Sequence, residues 1–349
     1  MMDERVIVYS WNFSKHLISF TMKTCQFVLL MGITSVLILG CRKNLPTTYI
    51  HPVDLSLDTT LSELSDSLFV PPQVRCMNVS GEYLYYTDYT GGLVVLDKDY
   101  QVKKQLGTRG QGPGEFLGAA HFYLVGKDSI YILNEGKHSI DVFAGDEYKQ
   151  TIPFPKSVRF TFNTRFFVDK GSVYHSVIAK ESPVVVFNND TSSFMCSYTP
   201  FDDSSMGGHV TKHILKGDNS FFLIGCVYPT LEQYSMDGKL LKQFDLSVIP
   251  AVSQMMQVYR DALREPESYF TVIQDAYYCN GDLYLLIGLL NNGNYSCNTV
   301  VVLNLSDAEW KYTKYFRLSG KVYDTFCVDN EKMYVHDPAR SCFDIFSFK

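Results

Sequence analysis

Basic clusters, paired cysteines and long apolar runs are all missing from this 349-residue chain. Lys and Arg number 31 against 37 Asp and Glu, and they are scattered. Binding to a phosphate backbone needs a positive footprint, so nucleic acid is not an expected partner. Nine Cys are present, but no C-x-x-C pair occurs. Their wide spacing fits neither a zinc site nor a disulfide framework. Cys76, Cys196, Cys226, Cys279, Cys297, Cys327 and Cys342 fall mostly in strand-like apolar runs, where a free thiol packs as a small hydrophobe. One or two bridges stay open for an exported protein. Neither a G-x-S-x-G elbow nor an H-E-x-x-H helix motif appears, which removes the commonest serine-hydrolase and zinc-protease signatures.

The apolar stretch Phe27–Leu39 is too short for an ordinary membrane-spanning helix. It follows Met22 and Lys23 and ends at Gly40 and Cys41, the layout of a secretory signal. Ile38-Leu39-Gly40-Cys41 resembles a bacterial lipoprotein signal, although Leu39 is bulkier than the usual Ala or Ser. That resemblance implies lipidation of Cys41 and a cell-envelope location, periplasmic or surface-facing. Translation is then expected from Met22, with residues 1–21 an artefact of the assigned start. An uncleaved anchor helix is the alternative, and both place the remaining chain outside the cytoplasm, tied to a membrane. Residues 1–40 read as extension and signal, and 41–52 as a tether. Removing residues 1–41 takes Arg5, Lys15 and Lys23 against Asp3 and Glu4, leaving an acidic body of 28 basic and 35 acidic residues.

From residue 53 a period emerges. Six segments align: YLYYTD at 83–88, SIYILN at 129–134, SVYHSV at 172–177, SFFLIG at 220–225, DLYLLI at 282–287 and KMYVHD at 332–337. The second residue of each is apolar and the third aromatic. Polar turns such as GKD, DKG and NGD precede most of them. Strand-like runs flank each one, as in VRCMNVSG before and LVVLD and QVKKQLG after the first. Four short strands per unit at this spacing are the pattern of a propeller blade, so the expected fold is all-β, a six-bladed β-propeller over 53–349. The sixth unit lacks a fourth strand, and an open edge is a liability. The alternating segment VDLSLD at 53–58 is expected to supply it, with a loose tether over 53–70 as the alternative. Val252, Met255, Met256, Tyr259 and Leu263 fall at helical spacing before Pro266, which predicts a helical insertion near 249–266. Its Met-rich face is read as packing on the propeller's own edge, with a partner surface as the alternative.

One stretch asks for a decision between chemistry and architecture. LGTRGQGPGEF at 106–116 carries Gly107, Gly110, Gly112 and Gly114. A phosphate loop needs a Lys-Ser or Lys-Thr and a following helix, and neither is there. The glycines are read instead as a blade-to-blade crossover with positive φ angles. Together with the cores YLYYTDYTGGLVVLD and SIYILNEGKHSIDVFA, this stretch resembles NHL-repeat propellers. It is most similar to the six-bladed propeller lipoproteins of Bacteroides-type bacteria. The resemblance covers about 53–349 and implies fold and export, not an activity.

Function is therefore sought at the face where propellers usually meet ligands, the one carrying the loops between second and third strands and between blades. Those loops hold Asp88, Tyr89, Arg109, Asn134, Glu135, Lys137, His138, Lys180, Glu181, Tyr228, Glu232, Asn291, Asn292, His336, Asp337 and Arg340. The candidate ligand-binding rim is Asp88, Tyr89, Arg109, Asn134, His138, Asp337 and Arg340. The plain alternative is that each caps its own turn, as Asp and Asn do. His209 and His213 form the one closely spaced His pair, but on a strand four residues hold them apart, so no metal and no cofactor is expected. Two functions stand. One is a monomeric, lipid-anchored binding scaffold for a glycan, peptide or protein. The other is a hydrolase or lyase on an extracellular polymer, using Asp88 and Asp337 across a scissile bond.

Overall fold

A computed structural model describes residues 50–65, 68–156, 158–161, 163–179, 182–196, 211–262, 271–291 and 293–348. The signal segment, Cys41, Lys180, Glu181, His209, Leu263, Pro266 and Asn292 lie outside them, as do the side chains of Tyr259 and Asn291. From Ile50 the chain forms the expected six-bladed propeller, each blade an antiparallel sheet whose first strand faces the axis.

Blade one is Val74–Ser80, Tyr83–Asp88, Gly92–Leu96 and Val102–Leu106. Blade two is Ala119–Val125, Ser129–Asn134, Ser139–Ala144 and Glu147–Pro153. Blade three opens with the short strand Phe167–Asp169, followed by Ser172–Ile178, Val184–Phe187 and Ser192–Met195. Arg159–Phe160 adds a further two-residue strand against Val177 and Ile178. Blade four is Lys212–Lys216, Ser220–Gly225, Thr230–Ser235 and Leu240–Asp245. Blade five is Ile273–Cys279, Asp282–Asn291, Asn294–Asn304 and Lys311–Arg317. Blade six is Thr325–Val328, Lys332–Asp337 and Cys342–Ser347, completed by Ser56–Leu61 from the other end of the propeller.

The repeat pattern has a packing cause. The apolar second residue of each core, Leu84, Ile130, Val173, Phe221, Leu283 and Met333, is buried in every blade. Six apolar clusters result, one between each pair of neighbouring blades. Aromatic pairs bridge the seams: Tyr86 of blade one meets Phe343 of blade six edge-on at 5.0 Å, and Phe167 of blade three lies 5.7 Å from Phe221 of blade four. Such pairs add about 0.5–1.5 kcal/mol beyond burial.

The closing strand differs from the expected 53–58. Val53–Asp54 runs parallel to Phe316–Arg317 on the outer edge of blade five. The chain then crosses, and Ser56–Leu61 pairs with blade six. Leu55 packs into the seam between blades five and six, and Leu61 into that between six and one. These two contacts set the register, with a bulge between Leu57 and Thr59 that simple alternation does not announce. The insertion is the helix Pro250–Ala262. Val252, Met255 and Met256 are buried against blades four and five, so the Met-rich face covers the propeller's own edge.

Candidate functional site at the axial mouth

The glycine run is settled by where its backbone N–H groups go. Gly110 N donates to Phe116 O, Phe116 N to Thr108 O, and Gly112 N to Glu115 Oε2 at 2.6 Å. A carboxylate of the loop itself thus holds the place of an anion. Gly107 and Gly114 have φ of 79° and 72°, as a crossover needs. Gly110 and Gly112 serve differently: a Cβ at either would run into the Glu115 carboxylate.

The predicted rim residues are mostly engaged with their own blades. Asp88 Oδ1 accepts from Thr90 N and Oγ1, both at 2.9 Å. Asn134 is fully buried; it accepts from Leu117 N and donates to Glu115 O and Asp141 Oδ2. Lys137 Nζ donates to Gly112 O. Asp337 accepts from Ala339 N and Arg340 N, and Arg340 bonds Asp337 and the buried Asp344. Asp88 and Asp337 therefore each serve a turn. Glu232 is buried against Lys212. His138 is exposed with a left-handed φ of 52°, and Arg109 is exposed beside the glycine loop. His336 bonds the Pro71 carbonyl through Nε2 and Asp324 Oδ1 through Nδ1. A carbonyl only accepts, so Nε2 donates to Pro71 O, and Nδ1 faces the Asp324 carboxyl.

The polar opening lies further in, on the axis. A cavity of about 290 Å3 is lined by the entries to the first strands and the segments leading into them. Arg75, His121, Arg159, Thr211, Gln274 and Asp324 carry its polar character. Its floor is Asp275, paired with Arg165 through Nε to Oδ1 and Nη2 to Oδ2, each 2.7 Å. The same guanidinium donates to Met77 O of blade one and Phe326 O of blade six, and lies 5.3 Å from the Tyr277 ring. Asp275 further accepts from Ala276 N, Thr325 Oγ1 and Phe326 N. Burial alone would raise its carboxyl, but Arg165 beside it holds it below the ordinary value. A second opening of about 310 Å3, with Asn78, Tyr123, Phe166, Lys216 and Tyr277 around it, has Arg165 in its wall. The ion pair thus stands between the two ends of the axis and ties four blades together.

Three groups at or beside the mouth are not spent. Arg75 Nε is buried without a hydrogen-bond partner among the described residues, as are His121 Nδ1 and His213 Nε2. Burial, then the nearby Arg165, holds His121 well below the usual histidine range, so its ring is neutral. His213 Nδ1 accepts from Arg165 N, which leaves the proton on Nε2. Tyr89 is the one predicted rim residue that supports this mouth. Arg75 stacks over its ring at 5.3 Å, and the ring in turn rests on Gly118, where a Cβ would stand 3.0 Å away.

The family model of DUF5128, described as a 6-bladed beta-propeller, matches residues 65–252, more than half of the chain. This chain belongs to the DUF5128 family. Among solved structures, this DUF5128 propeller is similar to a DUF4221-family member from Bacteroides vulgatus, with 11% identity, a TM-score of 0.58, and coverage of 86% of this chain and 99% of that one. A protein of Bacteroides fragilis described as exported matches at 12% identity and a TM-score of 0.55, over 86% and 96% of the two chains. A streptogramin B lyase matches at 9% and 0.50, over 83% and 97%. At these identities the likeness is one of fold alone. No curated protein matches the sequence.

The DUF5128 propeller thus places three of the six buried side-chain atoms that lack a partner among the described residues at or beside the axial mouth, away from the outer loops that hold the predicted rim. A signal was present: VRCMNVS, AAHFYLV and IQDAYYC each put one charged or imidazole side chain into a mostly apolar inner strand.

Proposed function

We propose that this protein is an exported, lipid-anchored binding scaffold that takes a polar ligand, a glycan unit or a peptide end, at the axial mouth. The observation that carries this reading is the set of buried, unpartnered nitrogens of Arg75 and His121 at a cavity of about 290 Å3. Buried polar atoms cost free energy unless bonded, and a ligand supplies the partner. The volume sits at the small end of ligand pockets, which favours one sugar or one peptide terminus over a polymer segment. The catalytic reading has less support. General acid–base work needs carboxylates free to exchange protons with substrate. Asp275 is saturated by five donors, Asp324 is tied to His336, and Asp88 and Asp337 cap turns.

Export and anchoring rest on the Lys23–Cys41 signal and on the likeness to a protein described as exported. Labelling with a radioactive fatty acid tests them: wild type should incorporate label, and Cys41→Ala should not. The binding reading is tested by thermal melting of the full chain in detergent against neutral sugars, acidic sugars and short peptides. One class should raise Tm, since ligand at a hundred times its Kd adds about 2.7 kcal/mol. Melting unmoved by any class overturns it.

A further inference from the structure

We infer that the ligand of the axial mouth is a small hydroxylated carboxylate, of the chemical class of the uronic acids, and that Arg75 holds its carboxylate. The inference rests on the binding reading above and narrows it. Of the charged groups at the mouth, Asp275 is neutralised by Arg165 and accepts from three further donors. Asp324 gives Oδ1 to His336, and Arg159 stands exposed at the rim. Arg75 is the cation whose Nε is buried at this mouth with no partner among the described residues. Its guanidinium carbon lies over the Tyr89 ring, 5.3 Å from the ring centre. A guanidinium fixed in this way presents a planar fork, which matches a carboxylate better than it matches a point charge. The carboxylate of Asp324 in the same wall limits how much negative charge the mouth accepts, so a monoanion fits better than a dianionic phosphate.

The remaining lining addresses hydroxyl groups. His121 is 3% exposed, its ring neutral and its Nδ1 unpartnered, so it can accept from or donate to a ligand hydroxyl. Thr211 and Gln274 add short neutral donors and acceptors to the same wall. A hydroxylated acid uses both halves of the site, and a plain sugar or a plain anion uses only one.

Titration calorimetry on the full chain in detergent, with D-glucuronate, D-glucose, N-acetyl-alanyl-alanine and inorganic phosphate as probes, decides the matter. Glucuronate should bind, with glucose and phosphate each weaker by at least about tenfold, the value of one charge-assisted hydrogen bond. The dipeptide should bind between them, since it offers a carboxylate without the hydroxyls. Arg75→Gln should abolish the preference for glucuronate over glucose, and Arg75→Lys should restore part of it. Lys103→Gln, exposed on the outer strand of blade one, should change nothing. Equal affinity for glucose and glucuronate, or full glucuronate binding in a folded Arg75→Gln protein, overturns the inference while leaving a polar-ligand mouth in place. Absence of binding by all four probes also overturns it, and the wider melting panel then decides the binding reading separately.

Discussion

Thr60 Oγ1 donates a 2.7 Å hydrogen bond to Asp344 Oδ1, joining residues 284 positions apart. Blade two shows the same arrangement within one continuous stretch, where Thr151 faces Asp141 and bonds it. Thr60 therefore occupies, in the strand borrowed from the start of the propeller, the place that Thr151 holds in an uninterrupted blade. Asp344 is fully buried and also accepts from Tyr323 OH at 2.7 Å and from Arg340. Thr60→Val should cost about 1.5–3 kcal/mol, the range for a hydrogen bond to a charged group. Deleting residues 42–61 should cost more, because it opens blade six along the whole of Cys342–Ser347. Urea unfolding of the wild type and both variants measures this. A deletion protein with an unchanged midpoint would mean the ring does not depend on its closing strand.

The Arg165–Asp275 pair makes a second, larger prediction. Both side chains are nearly inaccessible, at 7% and 3% exposure. Removing one partner strands the other charge, at a cost of about 3–5 kcal/mol. Asp275→Asn should therefore lower the urea midpoint strongly, and Arg165→Lys should do so too, since an ammonium cannot make the two-point contact with Asp275 while reaching Phe326 O. Double replacement by Met and Leu should recover a large part of the loss. If Asp275→Asn melts like the wild type, the pair does not tie the blades together.

Much of this architecture could be read directly. The apolar-aromatic cores repeat because each second-position residue must enter a seam between blades, and that demand leaves a period in the sequence. The closing strand was legible as an unpaired edge needing a partner, but its register was not. Leu55 and Leu61 choose it through contacts with two different seams, and those contacts exist only once the ring has closed. The site was harder still. Asp88, Asn134 and Asp337 look like a polar ring in the chain, yet local hydrogen bonds take up Oδ1 of Asp88, both oxygens of Asp337 and the whole amide of Asn134. His121 and Asp275 are, in the chain, single polar interruptions of mostly apolar inner strands. Only the geometry of a ring turns those interruptions toward a common axis, and Arg165 reaches it from TRFFVDKG, a strand-like run whose strand begins only at Phe167.

Gly107 tests whether the glycine loop is architecture. Its φ is 79°, and an added Cβ would lie 2.1 Å from the ring of Phe116, which is completely buried. Gly107→Ala thus faces both backbone strain and a clash, and should destabilise by about 1–3 kcal/mol. Gly126→Ala, with φ of 63° but open space around it, should cost less. Neither variant should alter any response to phosphate or nucleotide, because Glu115 already fills the loop. Comparable melting of the two alanine variants would show that Phe116 does not depend on close approach at Gly107.

His175 gives the pH dependence a sign. Its ring is fully buried among Phe154, Phe160 and Phe166, stacked on Phe166 at 5.8 Å, and Nδ1 donates to the Ser176 carbonyl at 2.7 Å. Burial lowers its pKa from 6.5 to about 4. Between those values the unfolded chain holds a proton that the folded one refuses, so stability rises with pH through this window. The contribution is complete above pH 6.5 and is lost as pH falls toward 4, by at most about 3 kcal/mol. His121, also held neutral, adds in the same direction. His175→Phe should keep the stacking and lose its share of the slope, and the Ser176 carbonyl keeps the Thr161 hydroxyl as a donor. Urea midpoints at pH 7.5, 6 and 5 should therefore fall less steeply in the variant than in the wild type. Parallel curves for the two proteins would show that His175 is not the group that refuses the proton.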